Sequence, residues 1–163
     1  PYVEQMFYLL GKTYDKLQTF VPVQDYQIDH YKNRFLKYIN PGFIKCVTDE
    51  NDELVAFAIT MPSFSNALKK INGKVDLIGK LRLLHAKNFN NKGSLYLIGV
   101  RPDFQNKGVI AILFNELQKF YNKFGITEVE TNPELIENTA IQQLWKNYEN
   151  NQHKNRATFT KEI

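Results

Sequence analysis

Ile98-Gly-Val-Arg-Pro-Asp-Phe-Gln-Asn-Lys-Gly-Val-Ile110 marks the point where a buried strand gives way to a long helix. Apolar Leu95–Val100 reads as the strand, Pro102 breaks it, a polar loop follows, and Gly108 opens a strongly amphipathic helix. The first-turn N–H groups of a helix lack intrahelical partners, and the helix dipole favours an anion. A strand–loop–helix corner is therefore a ready phosphate cradle. Amides from Gln105, Asn106, Lys107, Gly108, Val109 and Ile110 are expected to converge there as a nest, and Gly108 lets the backbone come close. Lys107 reads either as an added point charge or as a plain solvent-facing lysine.

Working outward, Val109, Ile112, Leu113, Leu117, Phe120, Tyr121 and Phe124 form one stripe at helical spacing, with Gly125 placed to end the helix. Thr127–Thr131 then reads as a short strand, Leu135–Glu149 as a helix and Arg156–Ile163 as a last strand. Upstream, residues 3–20 fit a helix stopped by Pro22, and Gln24–Ile39 a second one ending before Pro41-Gly42. Phe43–Asp49 and Glu53–Met61 read as strands joined by the polar turn Glu50-Asn51-Asp52. Ser63 is placed to cap a short helix carrying Phe64, Ala67, Leu68 and Ile71. Val75–Asn88 is a further helix with Leu77, Ile78, Leu81, Leu84 and Leu83 apolar; Leu77, Ile78, Leu81 and Leu84 read either as a groove for a fatty acyl chain or, more simply, as buried against the sheet. The order is α, α, β, β, an inserted helix pair, β, α, β, α, β, which defines a mixed α/β (α+β) class.

With Val100 and Pro102 ahead of Gln105-x-x-Gly108, the segment resembles motif A of the GNAT (GCN5-related N-acetyltransferase) superfamily, and the order of elements resembles that layout along nearly the whole chain. The resemblance implies one acyltransferase domain over residues 1–163: a mixed sheet flanked by helices, with a helical insertion before the motif strand. It implies acetyl-CoA or another acyl-CoA as co-substrate, with the pyrophosphate held at Gln105–Ile110. The pantetheine arm would pair with Leu97–Val100, using Ile98 and Val100, and Gly99 would mark the bulge that splays this strand from the next. The last glycine or alanine of the family pattern is replaced by Ile110, whose side chain is expected to turn into the core. Many relatives place a tyrosine seven residues after a helix-starting Asn as the acid for the departing thiolate. Asn138, Ile141 and Trp145 hold those positions here, so Tyr148 becomes the candidate acid and Trp145 a pocket wall. The family's first strand has no counterpart ahead of the first helix, and an upstream segment or partner is expected to cover that edge.

For a base, Glu128 and Glu130 share one face of their strand, with Glu130 the candidate, and Asn132 ends the strand within reach of an acceptor. His30, His85 and His153 show no metal-ligand spacing and face no nucleophile, so no metal is expected. Lone Cys46 in a strand reads as a buried inert thiol, consistent with a reducing, cytoplasmic setting.

The 163-residue chain is 43% apolar and 13% aromatic, which excludes wholesale disorder; no run suits a membrane span, and no membrane partner is expected. Lys69, Lys70, Lys74, Lys80, Arg82, Lys87 and Lys92 crowd a segment with the single acid Asp76, while Glu128, Glu130, Glu134, Glu137 and Glu149 dominate a later one. The pattern reads as anion- and cation-facing sides or as two solvated faces. Only Phe89 accompanies the basic cluster, so a nucleic-acid partner is not expected. The chain starts at Pro1 rather than Met, which suggests a piece of a longer or processed polypeptide. Two functions follow as expectations: acyl transfer to a small-molecule or peptide amine, or a GNAT-like module that binds CoA or a partner without catalysis.

Overall fold

The central element of the computed structural model is a nine-residue strand, β2 (Leu54–Pro62), buried along almost its whole length. Such a strand must be covered on both faces, and its near-continuous apolar run Leu-Val-Ala-Phe-Ala-Ile follows from that. The structure describes residues 2–15, 21–34, 39–157, 159 and 161. It divides into two compact units, residues up to Glu130 and from Thr131 onward.

In the first unit β2 pairs antiparallel with β1 (Ile44–Thr48) and with β3 (Lys92–Val100). The fourth strand, β4 (Glu128–Thr131), lies beyond β3 in the order β1-β2-β3-β4. The amide of Thr127 donates to the Asn91 carbonyl at 2.8 Å, and Lys92 pairs with Glu128 at 2.6 Å. The start of β4 therefore sits beside the start of β3, as the crossover between them requires. That crossover is α5 (Val109–Phe124).

One face of the sheet carries α1 (Val3–Tyr14), whose Met6, Leu9 and Leu10 pack on Leu54, Phe57 and Ile59. The other carries α5, whose Val109 and Leu113 pack on Val55, Ala56 and Val100. The register shifts between Val47 and Thr48, so Val55 is an extra residue on β2 and Leu54 and Phe57 come to share the α1 face. The α5 stripe is buried at Val109, Leu113, Leu117 and Tyr121, while Ile112 is exposed. Gly125 ends this helix in the left-handed region, with the Ile126 amide donating back to Tyr121 at 2.9 Å.

α2 (Asp25–Arg34) is shorter than its sequence pattern: Ile39 lies outside the helix, and residues 35–38, like 16–20 beyond α1, fall outside the described residues. The inserted pair is α3 (Ser65–Ile71) and α4 (Leu77–Asn88). Ser63 is buried and its hydroxyl accepts the Ser65 amide at 3.4 Å, but the residue at the cap position is Phe64. The Asp76 carboxylate caps α4 by accepting the Gly79 amide at 2.7 Å.

The expected burial of α4's leucines is overturned. The helix rests on Gly79, Leu83 and Ala86, and Leu77, Ile78, Leu81 and Leu84 face outward. Gly79 explains the choice of face, because a side chain there would strike the Lys74 carbonyl, so that side alone lies close against the chain.

In the second unit the expected helix Leu135–Glu149 contracts to α6 (Thr139–Trp145). Turn bonds from Asn138 to Leu135 and from Thr139 to Glu137 occupy the segment before it. After it, the Asn147 and Asn150 side chains donate to the Leu144 and Trp145 carbonyls and stop the helix. Of the predicted last strand, residues 156, 157, 159 and 161 carry no regular structure, and 158, 160, 162 and 163 lie outside the described residues.

Candidate functional site

The corner between β3 and α5 is built from the strand end outward. The Arg101 amide donates to the Val55 carbonyl at 2.8 Å, which holds β3 to β2 up to its last residue. A single 3-10 turn, Pro102–Phe104, then swings the chain away. The Arg101 guanidinium reaches Asp49 at 3.1 Å, Glu53 at 3.4 Å and Asp103 at 2.9 Å, and lies 4.5 Å over the Phe104 ring. This cation ties the loop to the β1–β2 hairpin. Burial alone raises the Asp49 carboxyl, but the Glu53 and Asn51 amides and Arg101 together hold it below the usual carboxylate value.

Asn106 and Gly108 both adopt left-handed backbone, with φ of 61° and 79°. Glycine alone takes that conformation without strain, and a Cβ at Gly108 would meet nothing within 4 Å. The hollow above it is open. The amides of Gly108, Val109, Ile110 and Ala111 have no partner among the described residues, and no side chain caps the helix. Ile110 does not fill the hollow: its side chain packs with Val55, Ala56, Val100, Val109 and Leu113. Gln105 braces the loop by donating from its side-chain amide to the Val100 carbonyl at 3.4 Å. Lys107 sits 5.3 Å from the Phe104 ring centroid.

Along β3, alternation turns the backbone groups of Ile98 and Val100 away from β2, since Arg101 faces β2. Two residues of α1 meet them there: the Tyr14 hydroxyl donates to the Ile98 carbonyl at 3.0 Å, and the Thr13 hydroxyl lies 3.3 Å from the Val100 carbonyl. Neither was visible in the sequence, where Tyr14 passes as one apolar position of an amphipathic helix. On the β2 side of β3 the register shifts between Leu97 and Leu95, not at Gly99. Leu97 pairs with Ile59 and Leu95 with Thr60, so Tyr96 is the extra residue. Gly99 has a different cause, because a Cβ there would lie 2.6 Å from the Phe57 ring.

Glu130 stands on β4 and is half-buried. Its charge acts on Tyr96, whose phenol is raised first by burial and then by Glu130. A tyrosine at the bulge beside a carboxylate on the next strand is a constellation sequence reading missed. Glu128, by contrast, is engaged with Lys92. Cys46 is half-buried and burial raises its thiol, as suits an inert residue.

Within the second unit Asn132 is exposed. The Trp145 indole N–H donates to Glu134 at 2.8 Å, which makes it a brace for the turn before α6. Tyr148 follows α6, with its ring 6.3 Å from that of Trp145 in an edge-to-face arrangement. His85 stacks on Phe89 at 5.2 Å and His30 lies edge-on to Tyr31. Among the described residues no cluster of His, Cys, Asp or Glu is arranged to hold a metal, and no helix is long and apolar enough to cross a membrane.

A cavity of about 740 Å³ lies beside α1 and α2, where Glu4, Asp15, Asp25 and Asp29 line it together with Phe7 and Tyr8. Lys32 crosses it, pairing with Glu4 at 3.0 Å and Asp29 at 3.8 Å.

This sheet, its crossover helix and the open amides between them are the features of an acetyl-CoA-using fold, and comparison with known proteins agrees. The model of the acetyltransferase (GNAT) family matches residues 5–148, so the chain belongs to that family. Solved structures of the same fold include AAC(6')-Iy in complex with the bisubstrate analogue CoA-S-monomethyl-acetylneamine, at 14% identity and a TM-score of 0.58, covering 99% of this chain and 92% of that one. Ribosomal-protein-alanine N-acetyltransferase from Brucella melitensis biovar Abortus 2308 gives 13% identity and a TM-score of 0.58, covering 98% and 92%. Aminoglycoside 6'-N-acetyltransferase AAC(6')-IG from Acinetobacter haemolyticus gives 15% and 0.54, covering 98% and 94%. No curated protein matches the sequence.

Proposed function

We propose that this chain transfers an acetyl group from acetyl-CoA directly to the amine of a small molecule or peptide. The observation that carries the reading is the open set of amides at Gly108–Ala111, beside open space where a Gly108 side chain would stand. A diphosphate supplies the acceptors these N–H groups lack, and the α5 dipole favours its charge. Ile98 and Val100 then offer backbone groups to the amides of the pantetheine arm, and the Val100 amide faces the thioester oxygen. The attacking amine forms the C–N bond as the C–S bond breaks; from the sequence, Glu130 is the candidate base for the amine proton and Tyr148 the candidate acid for the thiolate. Asn132 and Trp145 belong to the acceptor side.

Two enzymes of similar fold are aminoglycoside acetyltransferases, which supports a cationic amine. The test is CoA release in the presence of acetyl-CoA and a panel of polyamines, aminoglycosides and N-terminal peptides. Turnover with a cationic member is expected, and Tyr148→Phe is expected to lower kcat by roughly 100-fold without raising KM. No release with any acceptor would remove catalysis from the account.

A further inference from the structure

Helix α4 is apolar on two sides. Gly79, Leu83 and Ala86 face the protein, whereas Leu77 (75% exposed), Ile78 (60%), Leu81 (60%) and Leu84 (55%) form a ridge on the outside. At about 100° per residue this ridge is one stripe, with Lys80 and Lys87 along one flank and Arg82 along the other. None of these cations forms a salt bridge among the described residues, and the carboxylate of Asp76, the sole acid in the segment, is engaged as the helix cap.

We propose that the α4 ridge docks the protein on an anionic lipid surface. A convex apolar stripe flanked on both sides by long cationic side chains matches the boundary between acyl chains and headgroups. The leucines enter it, and the Lys80 and Lys87 stems extend outward to the phosphates, while the Arg82 guanidinium on the other flank also donates to the Lys70 carbonyl at 3.0 Å. Two other occupants fit less well. One face of a 12-residue helix, about 18 Å long, falls well short of the roughly 800 Å² per partner that a stable protein interface buries. A symmetric pair of copies would also set Lys80, Lys87 and Arg82 against their own equivalents. Cations close to an anionic leaflet add attraction that disappears with salt, which gives the docking a signature of its own.

The experiment is flotation of the 163-residue chain with phosphatidylcholine vesicles and with the same vesicles containing phosphatidylglycerol, at low and high salt. Binding to the anionic vesicles at low salt, lost at high salt, is expected. Leu77→Ser/Leu81→Ser should weaken it by roughly tenfold or more, with an unchanged thermal midpoint because both side chains are already exposed. Lys80→Glu/Lys87→Glu should abolish the dependence on anionic lipid. Equal binding to neutral vesicles, no flotation, or flotation unaffected by the leucine changes would each overturn the proposal. So would a dimer in solution that the leucine variant splits, since that would assign the ridge to a second copy. None of these readings depends on acetyl transfer.

Discussion

Gly108 and Ile110 carry opposite duties within one turn of backbone. Gly108 supplies the left-handed conformation and the open space, and Ile110 supplies an anchor in the core. Gly108→Glu should therefore cost about 1–2 kcal/mol in backbone strain and place a negative charge in the hollow, abolishing acetyl-CoA binding by calorimetry while the circular dichroism spectrum is retained. Ile110→Ala should do the reverse, lowering stability by about 2 kcal/mol in a urea titration and leaving cofactor affinity within about twofold. If Ile110 instead crowded the phosphates, its removal would tighten binding. The turn chemistry of this corner was legible in the sequence because it is local: proline, asparagine and glycine act through their own dihedral angles. The partners of Tyr14, Tyr96 and Trp145 were not. They lie 84 residues away for Tyr14 and Ile98 and on the neighbouring strand for Tyr96 and Glu130, while Glu134 lies 11 residues before Trp145 across a turn, and no spacing rule covers any of these.

Periodicity located most of the elements but not which side of each is covered. The α5 stripe is buried at Val109, Leu113, Leu117 and Tyr121, while Ile112 and Phe124 stay exposed. Truncation at its centre, Leu113→Ala, should cost about 2–5 kcal/mol in chemical denaturation, given a side chain only 1% exposed between the sheet and the helix. The same spacing in α4 misleads: a glycine that lies tight against the Lys74 carbonyl sets the inner face, and the leucines are left outside. Small residues at helix contacts carry little apolar signal, so a hydrophobic pattern alone points to the wrong side. Gly99 on β3 is a related case. A glycine marks either a bulge or a close contact, and at Gly99 the contact is the Phe57 ring.

At the scale of the whole molecule, buried Tyr121 sets the alkaline limit, and the more exposed Tyr96 adds to it. Tyr121 and Tyr96 are both raised from an ordinary value of 10.0, chiefly by burial, with Thr60 partly offsetting the first and Glu130 adding to the second. The folded state holds these protons more tightly than the unfolded chain. Their contribution is thus complete below pH 10 and declines as pH rises through the folded values. Unfolding free energies from urea titrations at pH 8 to 11 should fall at the upper end, and less so in Tyr121→Phe. The acetyltransferase reading rests on one feature of the fold, the unpartnered amides at the start of α5, and nuclear magnetic resonance tests it most directly. When acetyl-CoA is titrated into the labelled protein, the account predicts the largest amide shifts at Gly108, Val109, Ile110 and Ala111, followed by Ile98 and Val100. Saturable binding that leaves those resonances in place, or no binding at all, would contradict it.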